Sequence, residues 1–119
     1  MGKTVVIGAS ENTDRYSNRA VRSLVQHNEP VVAVGLREGK IGEVEILAGM
    51  PKIGDVETVT LYVGPQNQPS WYDYILSLKP KRVIFNPGTE NPELEKLCAE
   101  EGIETVEACT LVMLSVGTY

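Results

Sequence analysis

Lys3-Thr4-Val5-Val6-Ile7-Gly8-Ala9-Ser10 places a β-branched run near the start of the chain and ends it on glycine. A run of this kind, without polar alternation, reads as a strand covered on both faces, which is the pattern of a parallel sheet. Gly8 and the two small residues after it let the backbone leave that strand tightly. Downstream, Ala20, Val21, Leu24 and Val25 recur at helical spacing, with Ser17 as N-cap and Asn28 as the C′ residue. Pro30 then introduces a second apolar run, Val31 to Leu36. Strand, helix and strand in this order form a βαβ unit.

The alternation continues. After Leu36, a stretch with Gly39 and Gly42 reads as a loop, and Glu43 to Glu57 carries no decisive pattern. Thr58 to Val63 is the third strand, stopped by Gly64-Pro65 because proline cannot donate to a central ladder. Pro69 suits the first turn of a helix, whose apolar residues are Tyr72, Ile75 and Leu76 and whose end is Lys79-Pro80. Arg82 to Phe85 makes the fourth strand. Asn91-Pro92 is an N-cap followed by proline at N1, Leu94, Leu97 and Cys98 give a buried stripe, and Gly102 closes that helix before a fifth strand, Ile103 to Val106. The fold class that follows is α/β: a Rossmann-like, doubly wound sheet of about five parallel strands with helices on both faces.

The 119 residues make one domain, 1–119, and a composition of 42% hydrophobic and 23% charged residues is that of a chain that folds on its own. The net charge of −5 argues against nucleic acid or an anionic membrane as the main partner, since both need a positive field. Two cysteines, Cys98 and Cys109, without a leader or a long apolar run, fit a cytoplasmic protein better than a disulfide scaffold. The oligomeric state is not legible.

In such a sheet a ligand sits beyond the carboxyl ends of the strands, near the point where strand order reverses. Gly8-Ala9-Ser10 followed by a helix N-terminus suits an anion, and Arg15 lies in the same loop. Ser10 and Thr13 stand where the dinucleotide fingerprint would need glycine. After the second strand come Gly35, Leu36 and Arg37 in place of an acidic residue, and an arginine there favours a ribose that carries a phosphate, as in coenzyme A or NADP. The same residues have a plainer reading as a tight strand exit, a capped helix and solvated arginines.

Val6-Ile7-Gly8-Ala9-Ser10, with Arg15 and Ser17 across a loop of this length, resembles the stand-alone CoA-binding domain proteins, relatives of the nucleotide-binding domain of succinyl-CoA synthetase α subunits. The resemblance spans nearly the whole chain and implies coenzyme A as cofactor, with CoA or acyl-CoA as partner. It implies that Gly8, Ala9, Ser10 and the stretch from Arg15 to Ser17 hold the pyrophosphate. It further implies that Val63, Gly64 and Pro65 line the adenine pocket and that Asn86 lies near the pantetheine path. Where that family ends its second strand in Val-Asn-Pro and often a basic residue, this chain has Val34, Gly35, Leu36 and Arg37, which keeps the charge and loses the Asn-Pro pair. The family's charged tail after the last cysteine is also missing after Cys109.

No pair of carboxylates or nucleophile with its base emerges, so a CoA-binding or nucleotide-binding module without evident catalytic residues is the first reading. Its rivals are an acyl-CoA- or NADP-dependent enzyme and a regulatory or interaction domain that has lost its ligand. Cys109 could meet a thiol arm, but a buried inert cysteine is the commoner case. His27 ends the first helix without metal-ligand spacing, and Trp71, Tyr72 and Tyr74 read mainly as sheet cover.

Overall fold

The computed structural model describes residues 2–119. Its first strand, β1 (Lys3–Ile7), lies at the centre of the sheet, with Val5, Val6 and Ile7 fully buried. Burying each such side chain contributes about 1.5–3 kcal/mol, which is why the most apolar run takes the middle position. The remaining strands are β2 (Val31–Gly35), β3 (Gly39–Ile41), β4 (Val44–Ala48), β5 (Val56–Leu61), β6 (Arg82–Phe85) and β7 (Glu104–Glu107). Among the described residues they form one seven-stranded sheet in the order β3-β4-β2-β1-β5-β6-β7. All neighbours pair parallel except β3 with β4.

Seven strands therefore replace the five read from the sequence. The two additional ones lie in Gly39 to Ala48, which looked like a loop and an undecided stretch. Gly42, at φ +60°, makes the turn of a hairpin in which Ile41 faces Val44 and Gly39 faces Ile46. A three-residue edge strand is too short to show a period of two, and its pairing comes from β4, which itself pairs with β2.

Helices cover both faces. Helices α1 (Tyr16–Gln26) and α4 (Thr110–Val116) lie on one side, where Val6, Val21, Leu24, Ala33, Ile46 and Leu114 pack together. Helices α2 (Tyr72–Ser77) and α3 (Pro92–Glu100) lie on the other, over Ile7, Val34, Leu61 and Phe85. Trp71 and Tyr74 belong to this second core, as does Cys98, which is fully buried. On the α4 side the Tyr119 hydroxyl bonds to the Thr4 hydroxyl, and the Arg82 guanidinium lies 4.6 Å from the centre of the Tyr119 ring.

Helix ends follow the sequence at Asn28, Asn91 and Gly102, while Pro69 opens a 3-10 turn that leads into α2 at Tyr72. Asn28, at φ +60°, is the C′ residue of α1: its N–H donates to Val25 and that of Glu29 to Leu24, the two bonds of a Schellman motif. Gly102 closes α3 in the same way, and the Asn91 side chain accepts from the amides of Glu93 and Leu94 at its start. Ser17 is the exception. The N-cap of α1 is Arg15, without a side-chain cap, and Ser17 is buried inside the first turn. Asn12 causes this shift, because its side chain accepts from the Asp14 amide and its carbonyl from the Arg15 amide, so the chain enters the helix at Tyr16.

Candidate functional site

Strand order reverses on either side of β1: the chain runs outward through β2 and β4 and then returns to place β5 on β1's other edge. The crevice this creates lies above Ile7 and Leu61, where Gly8, Gly35 and Tyr62 leave their strands. Gly8 has φ +97°, and a Cβ there would stand 3.0 Å from the Tyr62 carbonyl oxygen. Gly35 is needed for a different reason, since its Cβ would come within 2.4 Å of the Ala9 carbonyl oxygen. Two glycines thus let the first loop lie flat across the ends of β2, β1 and β5.

The Gly8 and Ala9 amides both donate to the Val34 carbonyl, at 2.9 and 3.0 Å. They fasten the loop and are not open to a ligand. The open donors come a little later: among the described residues the Ser10, Tyr16 and Ser17 amides have no protein acceptor. Asn18, which the sequence reading passed over, holds this corner by donating from Nδ2 to the Ser10 carbonyl at 2.8 Å. Its Oδ1 is buried without a partner. Arg15 is exposed at the mouth, beside Tyr16, whose ring lies 5.3 Å from the Arg19 guanidinium. These amides open at the start of an eleven-residue helix, where the backbone carries a partial positive charge, with the Ser10 hydroxyl and the exposed Arg15 in the same loop.

Around that centre the other sequence-marked residues fall unevenly. Leu36 is 87% exposed and Arg37 is exposed, both at the end of β2. Val63 and Gly64 are half-buried and Pro65 exposed, in the turn after β5. That turn is rigid, because the fully buried Gln68 donates from Nε2 to the carbonyls of Val63 and Thr89 and accepts from Asn91. Asn86 is at the correct end of the sheet, but its side chain faces inward. Its Nδ2 donates to Thr60 Oγ1 and the Leu61 carbonyl, and its Oδ1 accepts from the Thr110 amide. Both of its N–H groups are thus committed to β5 and its Oδ1 to α4, which joins these elements at the end of β6.

The chain belongs to the CoA-binding domain family. The model of that domain matches residues 2–115. A solved structure described as an uncharacterized protein is 54% identical, with a TM-score of 0.96 over 100% of this chain and 98% of its own. A protein described as cell-free ID.343 from Thermus thermophilus superposes at TM-score 0.82 with 22% identity, covering 99% of this chain and 91% of that one. A conserved hypothetical protein from Pyrococcus furiosus does so at 0.81 with 22% identity, covering 94% and 98%. These last two share the fold. No curated protein sequence matches the chain.

The family's Rossmann-like sheet is therefore this chain's own, and its chemistry at the carboxyl ends is restrained. Cys109 caps α4, half-buried and free. Tyr62 stands near it with a buried hydroxyl that has no hydrogen-bond partner, and burial, then the neighbouring Cys109, pushes its pKa up. Cys98 sits in the core, where burial, reinforced by Glu95, pushes its thiol up to about 11. Among the described residues no group of His, Cys, Asp and Glu side chains is arranged to hold a metal, and no helix is long and apolar enough to cross a membrane.

Proposed function

We propose that the chain is a CoA-binding module that acts by binding and not by catalysis. The observation that carries this reading is the set of unpartnered amides at Ser10, Tyr16 and Ser17, grouped at the α1 N-terminus on a loop that two glycines press against the sheet. A pyrophosphate placed there accepts from these donors and from the Ser10 hydroxyl, with Arg15 as its counter-charge. Gly8, Ala9 and Gly35 shape the floor. Val63, Gly64 and Pro65 form the wall that an adenine ring would meet, held by Gln68. Asn86 serves this site indirectly, by fixing the end of β5. The two free cysteines suit a reducing compartment, and we place the protein in the cytoplasm.

Isothermal titration with CoA tests the reading. Binding that weakens in Arg15→Ala and Ser10→Ala supports it, and no heat of binding at millimolar CoA overturns it. Each lost charge-assisted bond should weaken binding by about tenfold or more.

A further inference from the structure

The second strand ends here in Gly35-Leu36-Arg37, and the structure shows what stands beside it. Glu11, in the first loop, reaches across to the β3–β4 hairpin, where its Oε2 accepts from the Lys40 amide at 2.9 Å. The fit is close enough to fix the residue opposite: a Cβ on Gly39 would stand 2.4 Å from the Glu11 carboxyl carbon. Glu11 therefore ties the loop that begins at Gly8 to the hairpin that follows β2, and among the described residues its other carboxylate oxygen has no hydrogen-bond partner. A shallow cleft of about 390 Å³ lies at this junction, lined by Glu11, Glu38 and Glu45, with Lys40 as its one cation among the described residues. Arg37 is exposed and does not line it.

In a nucleotide-binding sheet of this kind, the region beyond the second strand receives the ribose of the adenosine. A carboxylate there accepts hydrogen bonds from a 2′,3′-diol and repels a phosphate; an arginine does the reverse. Here the sequence offers Arg37 at the end of β2, but the cleft itself is lined by carboxylates, one of them held in place by a backbone bond. We propose that this chain's nucleotide site takes an adenosine diphosphate moiety with a free ribose diol in preference to one with a 3′-phosphate, and that Glu11 sets this preference. The proposal rests on the nucleotide-site reading above and names the ligand class within it: dephospho-CoA or another ADP-bearing ligand over CoA itself. Glu11 is a specificity-determining and positioning residue, since the same side chain presents the charge and holds the loop.

The test compares CoA with dephospho-CoA by isothermal titration on the full chain, wild type and Glu11→Gln. Glutamine keeps an oxygen for the Lys40 amide and loses only the charge, and a thermal melt checks that the variant is folded. We expect dephospho-CoA to bind wild type about tenfold more tightly than CoA, as a phosphate dianion near one carboxylate in a water-like dielectric loses about that much. The advantage should narrow in Glu11→Gln and in raised salt. CoA binding as tightly as dephospho-CoA or more so overturns the inference and leaves the CoA-binding module standing. A preference unchanged in Glu11→Gln overturns the assignment to Glu11, and absence of binding by either ligand overturns both readings.

Discussion

Replacing Asn86 with alanine separates two roles that its position allows. If the side chain serves the protein, as its three bonds indicate, the loss falls on stability; if it served a ligand, the loss would fall on affinity alone. The bonds to Thr60 Oγ1, the Leu61 carbonyl and the Thr110 amide measure 2.7, 2.9 and 2.9 Å, and all three are buried. At about 1 kcal/mol each, with a further ~1–2 kcal/mol for the Thr110 N–H left buried without an acceptor, Asn86→Ala should cost about 4–5 kcal/mol. Thr60 softens this a little, because its hydroxyl keeps the bond to the Thr110 hydroxyl at 2.7 Å. For a domain of this size such a loss lowers Tm by roughly 15 °C or more. Urea and thermal unfolding, followed by circular dichroism, measure it. Asn86→Asp sharpens the test, since a carboxylate keeps the acceptor for Thr110 but faces the Leu61 carbonyl. Burial raises such a carboxyl's pKa in the folded state above its unfolded value, so the deficit should deepen as pH rises from about 4 to 7. A stability loss under ~1 kcal/mol in Asn86→Ala, accompanied by weakened CoA binding, would refute the reasoning.

Two further outcomes follow from the geometry. Gly35→Ala forces the Ala9 carbonyl away from a Cβ that would stand 2.4 Å from it and presses on Ile46, so stability should fall by about 1–3 kcal/mol, with a loss of CoA affinity in the same variant. Full retention of both in unfolding and titration experiments would show that the first loop is not seated as described. Glu95 has its pKa raised by burial first and then by Glu107 and Glu90, so it releases its proton less readily folded than unfolded and lowers stability as pH rises through that range. Glu95→Gln should therefore raise Tm at pH 7 relative to wild type, and the gain should shrink toward pH 4; an equal gain at both pH values would exclude the carboxylate cluster as its cause.

Much of the fold is legible because it depends on local pattern. The run from Thr4 to Ile7 is β-branched throughout and reads as a strand covered on both sides, and the Asn28, Asn91-Pro92 and Gly102 signals end or begin helices through bonds made within a few residues. Gly8 and Gly35 were visible as candidates for the crevice. What local pattern could not show was Ser17's place inside the first turn, set by the Asn12 turn before it, or the hairpin from Gly39 to Ala48, set by β2's need for a neighbour. The latches Asn18, Gln68 and Asn86 are polar residues whose bonds do not show in sequence, because their partners lie 5 to 26 positions away.

Sequence by itself determined the α/β class, the central strand and the small-residue turn after it, since these follow from hydrophobic period and from which residues the backbone permits. Tertiary structure alone decided which donors on that turn stay open and which charge stands beside them. The Val34 carbonyl takes the Gly8 and Ala9 amides only once β2 has paired with β1, and Glu11 meets Lys40 only once the hairpin has added to the sheet's edge. Hydrogen bonds and charges act over a few ångströms in space, and only the folded chain fixes those distances.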